Sequence, residues 1–97
     1  MCKGGNLVKA YYFANKTCRT CKGLWPKVEN LMKENNIELE YVDIEEKPEV
    51  SGQMLVFSVP TLVFVDEENR ELTRFYRNFG MMEVQAFIDR YISIMNS

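Results

Sequence analysis

Ninety-seven residues, 46% apolar, 27% charged and 12% aromatic, suffice to bury one hydrophobic core and are too few for two domains. Only five Gly and three Pro interrupt the large apolar residues, which excludes a disordered chain, a collagen and a coiled coil. Twelve basic against fourteen acidic residues leave a net charge of −2, without the basic field that a phosphate backbone requires.

The first periodic segment, Leu7 to Phe13, is rich in β-branched and aromatic residues and predicts a strand covered on both faces. After Ala14-Asn15-Lys16-Thr17, the apolar positions Leu24, Trp25, Val28, Leu31 and Met32 recur from Cys21 at helical spacing, with a stop at Asn35-Asn36. Pro26 lies inside that helix and is expected to bend it. Alternation of Ile37, Leu39, Tyr41 and Ile44 with Glu38, Glu40 and Asp43 predicts a second strand.

Pro48 opens a short helix predicted to run to about Val56, and Thr61 to Val65 after Pro60 reads as a third strand. Asp66 to Asn69 is a polar turn too short for a parallel crossover, so Leu72 to Arg77 should return antiparallel, closed by Gly80. Val84, Phe87, Ile88, Tyr91, Ile92 and Met95 share one stripe of a final helix. The order βαβαββα predicts an α/β fold with a mixed four-stranded sheet flanked by helices and a parallel first pair, in a single domain over residues 1 to 97.

Chemistry concentrates at Cys18-Arg19-Thr20-Cys21, between the first strand and the first helix. A thiolate at a helix N-terminus gains from free backbone N–H groups and from the helix dipole. Residues 15 to 28 add Lys16, Arg19, Lys22 and Lys27 with no acid, whereas 29 to 51 hold eight acids against Lys33 and Lys47. Cys18 is therefore the candidate nucleophile, with Lys16, Arg19 and Lys22 as candidate tuning charges. Cys21, one turn on, is the candidate resolving thiol that closes the disulfide. The bland alternative is a pair of inert thiols or a structural disulfide.

No second CxxC and no histidine are present, so a zinc site within the chain would need Cys2 and a carboxylate as well; zinc shared by two chains stays open, and no metal is the expectation. Cys2 itself reads as an incidental terminal thiol. Val59-Pro60-Thr61 marks a punctuated start to the third strand, with trans as the default for an X-Pro bond. Asn15-Lys16-Thr17 matches a glycosylation acceptor by chance.

Taken together, Tyr12-Phe13-Ala14 ending a strand, Cys18-Arg19-Thr20-Cys21-Lys22, Pro26 five positions later, Val59-Pro60-Thr61-Leu62 and Gly80 before the last helix resemble the thioredoxin family over about residues 7 to 95. The resemblance implies a cis Val59–Pro60 bond beside Cys18, a Val59 backbone that hydrogen-bonds a bound peptide, and a Gly80 that leaves room for it. It implies thiol–disulfide exchange on protein disulfides, with another protein or small thiol to reduce the protein again and no cofactor. The family's leading strand and helix have no counterpart in the few residues before Leu7, an economy that glutaredoxins share.

Departures from the family pattern are specific. Arg19-Thr20 replaces Gly-Pro, Thr17 replaces the Trp before the first cysteine, Tyr12 falls where the family has a buried Asp, and Tyr41 falls near its Lys partner. A phenol with an ordinary pKa near ~10 is a poor base at neutral pH, so Glu45 or water would have to serve Cys21. Two other readings follow from the same residues: glutaredoxin-like reduction of glutathione mixed disulfides, favoured by Lys16, Arg19 and Lys22, and a non-catalytic module that holds a partner near Val59 and Gly80. The absence of a membrane-length apolar window and of a signal-peptide core leads to an expected cytoplasmic location, no membrane or nucleic-acid partner, and a monomer.

Overall fold

The computed structural model describes residues 8–76 and 79–95, with side chains described as far as Tyr91. Its elements are β1 (Val8–Ala14), α1 (Arg19–Glu34), β2 (Glu38–Asp43), α2 (Pro48–Gln53), β3 (Thr61–Asp66), β4 (Glu71–Tyr76) and α3 (Met81–Met95). Leu7, Arg77, Cys2 and the side chains of Ile92 and Met95 lie outside the described residues.

The four strands form one sheet in the order β2-β1-β3-β4. β1 runs parallel to β2, as a strand–helix–strand connection requires, and antiparallel to β3, which pairs antiparallel with β4. Alternation of side chains across β1 builds two cores. Ala10, Tyr12 and Ala14 face α1 and α3 with Cys21, Val28, Met32, Phe64 and Ile88, whereas Phe13 faces the α2 side with Val42, Val56, Val63 and Val65. Fully burying an aromatic such as Phe13 or Phe64 contributes roughly 2–3 kcal/mol each, so the central strands anchor the site.

Three sequence expectations change. β1 is buried on both faces only from Tyr12 onward; Lys9 and Tyr11 are half-buried, because the short α2 leaves that end of the sheet open. β2 is an edge strand, so Tyr41, expected on an inward apolar face, is exposed; Asp43, expected outward, shares that face, lies opposite Ala14 of β1 and is buried. α2 stops at Gln53 and not near Val56, because Leu55 adopts φ 57°. The Leu55 amide then donates to the Gly52 carbonyl at 3.2 Å and the Val56 amide to that of Ser51 at 2.9 Å, which closes the helix end. Asn36, at φ 56°, ends α1 in the same way.

Candidate active site

β1 delivers the chain to the site through a tight turn. The Asn15 side-chain oxygen accepts from the Thr17 amide at 3.0 Å and the Thr17 hydroxyl at 3.1 Å, and the Cys18 amide donates to the Asn15 carbonyl at 3.1 Å. Asn15-Lys16-Thr17 is thus an Asx turn that fixes the approach to the helix. Cys18 is the N-cap of α1, with extended backbone at φ −86° and ψ 108°. Its Sγ accepts from the Cys21 amide at 3.1 Å, the contact by which an N-cap side chain satisfies an orphan donor of the first turn.

Cys18 and Cys21 are joined as a disulfide, with Cα atoms 5.2 Å apart. Cys18 is partly exposed and Cys21 is buried at 2% exposure, so a reaction partner from solvent meets the first sulfur and not the second. Behind Cys21 stands Tyr12, fully buried, whose hydroxyl donates to the Cys21 carbonyl at 2.7 Å. Burial, and secondarily the nearby Tyr41, push the Tyr12 phenol far above its ordinary range, so it stays protonated and acts as a donor. Tyr12, Trp25 and Tyr41 form an aromatic triad with centroids 4.9 to 5.9 Å apart, which fills the positions where the family places a charged pair.

Lys16 reaches away from the sulfurs to Glu46, 2.6 Å away, which raises the lysine pKa. Arg19 and Lys22 are exposed on the first turn of α1. Glu45 accepts from the Asn15 side-chain amide at 3.1 Å. Asp43, unnoticed in the sequence, takes the amides of Glu45 at 2.8 Å and Glu46 at 3.3 Å on Oδ1, while its buried Oδ2 has no hydrogen-bond partner. The alternating pattern of β2 does mark it, since Asp43 is in phase with Leu39 and Tyr41 and out of phase with Glu38 and Glu40.

Across the sheet end from the disulfide, the Val59–Pro60 bond is cis and Pro60 is buried. The Thr61 hydroxyl donates to the Ser58 carbonyl at 2.7 Å and holds this turn. Val59 packs against both cores, and Cys18 packs against the first of them. Gly80 is exposed immediately before α3, and a side chain there would meet no atom within 4 Å. Among the described residues no three His, Cys, Asp or Glu side chains gather as a metal site, and no helix is long and apolar enough to cross a membrane.

Comparison with known proteins agrees with this geometry. The family model described as Thioredoxin matches residues 5–90. The SPbeta prophage-derived thioredoxin-like protein YosR of Bacillus subtilis is 32% identical over 57 residues, a match covering 59% of this chain and 66% of that protein. Thioredoxin 1 from the thermophilic eubacterium Thermosipho africanus superposes with a TM-score of 0.86 at 42% identity, covering 92% of this chain and 99% of that one. Fasciola hepatica thioredoxin superposes at 0.77 with 28% identity, covering 89% and 82%. The chain belongs to the thioredoxin family, and its disulfide-linked Cys18–Cys21 pair is that of a thiol–disulfide oxidoreductase.

Proposed function

We propose that the protein reduces or exchanges disulfides of other proteins, with Cys18 as nucleophile and Cys21 as resolving thiol. One observation carries the assignment of roles: Cys18 Sγ caps α1 in a partly exposed position, while Cys21 is buried one turn behind it. The Cys18 thiolate attacks a substrate disulfide, forming a mixed disulfide and releasing one substrate thiolate. Cys21, after losing its proton, attacks Cys18 Sγ, expelling the second substrate thiolate and leaving Cys18–Cys21 oxidised. Two electrons pass to the substrate, whose thiolates take up protons from water.

The oxidised pair is returned to the dithiol by a reductase protein or a small thiol. Val59 and Pro60 shape the substrate groove, Gly80 leaves it open, and Arg19, with Lys16 and Lys22, biases Cys18 toward the thiolate. The protein works as a single-domain cytoplasmic monomer in cell redox homeostasis and needs no cofactor.

The test is the redox equilibrium of the pair in a Cys2→Ser background, read by alkylation and mass spectrometry across dithiothreitol and glutathione buffers. A single two-electron couple between roughly −270 and −180 mV is expected. Cys21→Ser should accumulate the mixed disulfide with protein substrates, and Cys18→Ser should abolish turnover. Faster turnover of glutathione mixed disulfides than of protein disulfides would favour the glutaredoxin-like reading. Function that survives loss of both cysteines would favour a binding module.

A further inference from the structure

The sheet end that carries the disulfide also carries an apolar pocket. Phe13 of β1 is in register with Thr61 of β3, and Thr61 with Tyr76 of β4, so the pocket beside Tyr76 lies two strand spacings from the strand that leads to Cys18. The pocket, of about 240 Å³, is lined by Leu55, Val56, Phe57, Thr61, Arg74 and Tyr76. Leu55, Phe57 and Tyr76 are 65%, 82% and 51% exposed. Single exposed apolar residues are ordinary, but three gathered around one concavity mark a surface that binds something.

Arg74 does not make this a charged site. Its guanidinium donates to both carboxylate oxygens of Glu71, at 2.6 and 2.7 Å, and to the carbonyls of Met54 at 2.8 Å and Leu55 at 3.0 Å. With its charge matched and four of its five N–H donors occupied, the arginine instead fixes the end of α2 and holds Leu55 in place, so the pocket is built before any ligand arrives. Val59 packs on both cores, and the turn through Ser58 therefore joins the dithiol face of the sheet to the pocket face without a break.

We propose that this pocket takes an apolar side chain of the protein substrate, placed about three to five residues along an extended chain from the cysteine that Cys18 attacks. The lower bound follows from the two strand spacings between β1 and β4, about 10 Å, against a rise of about 3.3 Å per extended residue, to which the reach from the end of β1 to Cys18 is added. The inference rests on the disulfide-reducing reading above and specifies its substrates: disulfides flanked by leucine-like or aromatic residues in locally extended chain. Such sequences are buried in folded proteins, so the preferred substrates are unfolded or locally opened ones.

The test uses the reduced full-length protein and two symmetric peptide disulfides that differ only in carrying leucine or serine at the positions about three to five residues to either side of the cysteine. Peptide thiol released in a single turnover is measured after acid quench, as a function of peptide concentration. The leucine peptide is expected to reach half-maximal rate at a concentration about tenfold lower, with the same limiting rate, as partial burial of one leucine predicts. Phe57→Ser should bring the two peptides within about twofold of each other, and Phe57→Leu should keep most of the preference.

Equal half-saturation of the two peptides on the wild-type protein overturns the proposal, as does a preference that persists in Phe57→Ser. A dimer that Phe57→Ser dissociates, with no peptide preference, gives the pocket to a second copy of the chain and overturns it too. Hydroxyethyl disulfide, which has no residue to place in the pocket, separates the two levels. If the wild-type protein reduces it, a failed peptide preference counts against the pocket alone; if it reduces neither this compound nor the peptides, the oxidoreductase reading falls with the proposal.

Discussion

The Tyr12 hydroxyl donates a 2.7 Å hydrogen bond to the backbone carbonyl of Cys21. A neutral donor thus stands behind Cys21, at the position where the family pattern has a carboxylate. Replacing Tyr12 by Phe removes the donor and leaves the carbonyl in an apolar setting, so we expect the fold to lose about 1–2 kcal/mol in urea unfolding. The raised phenol pKa also makes the folded state bind a proton that the unfolded state releases above pH ~10, so stability should fall as pH rises past that point. Part of this alkaline loss should disappear in Tyr12→Phe; an unchanged alkaline limb would count against the bond as a stabilising one.

Resolution of the mixed disulfide should depend on pH. With the Tyr12 phenol protonated, the Cys21 thiol must lose its proton to water, and only the thiolate attacks. Below an ordinary thiol pKa of ~8.5, the rate should therefore rise about tenfold per pH unit. Mixed-disulfide lifetimes from about pH 6 to 9 read this directly. A fast rate independent of pH would require a carboxylate base, and Asp43, with its buried and unpartnered Oδ2, would be the first to replace.

Arg19 follows the N-cap Cys18 directly and is exposed. A positive charge there favours the reduced, thiolate-bearing form over the uncharged disulfide. Arg19→Gly should accordingly make the couple more reducing, by about 10–20 mV given the screening of an exposed charge. Equilibration with glutathione buffers gives the answer, and an unchanged or more oxidising potential would refute the role.

The β3–β4 turn is organised by Asp66. Its carboxylate accepts from the amides of Arg70 at 2.8 Å and Glu68 at 2.9 Å, and from the Arg70 side chain at 3.1 Å. The Arg70 backbone bond, foremost among these, lowers its pKa. A depressed carboxyl contributes stability that is present above its unfolded pKa of ~3.9 and lost as pH falls through the folded value. Asp66→Asn should therefore lower stability at neutral pH and flatten the acid limb of a stability–pH profile, the two proteins converging once Asp66 is protonated in acid, below about pH 4.

Leu55 ends α2 in a left-handed conformation, at φ 57°, that glycine adopts without cost. Leu55→Gly should stabilise the fold by about 1 kcal/mol in chemical unfolding. A loss of stability would mean that the exposed leucine side chain contributes more, through the pocket it lines, than its backbone strain costs.

The strands, the parallel first pair and the CxxC at a helix start were legible because each rests on local pattern: β-branched runs, turn residues and the spacing of Cys18 to Cys21. The end of α2 was not legible, since Leu55 carries no mark of a left-handed position as a glycine would. Tyr41 was misplaced because alternation reveals a period but not which strand lies at the edge, and Asp43 because its acidic side chain was grouped with Glu38 and Glu40 although the period sets it on the face of Leu39 and Tyr41. Pairing of Lys16 with Glu46, and the pocket between Phe57 and Tyr76, join segments distant in sequence and leave no local trace.

The outer strand β2 alternates Glu38 and Glu40, both bound to the ammonium of Lys9, which also sits 4.7 Å above the Tyr11 ring. An open sheet edge invites any extended chain to add a strand, a hazard for a protein whose proposed substrates are extended chains. A newcomer zipping onto β2 would have to strip water from these carboxylates. The charged border thus opposes the addition of a further strand along β2.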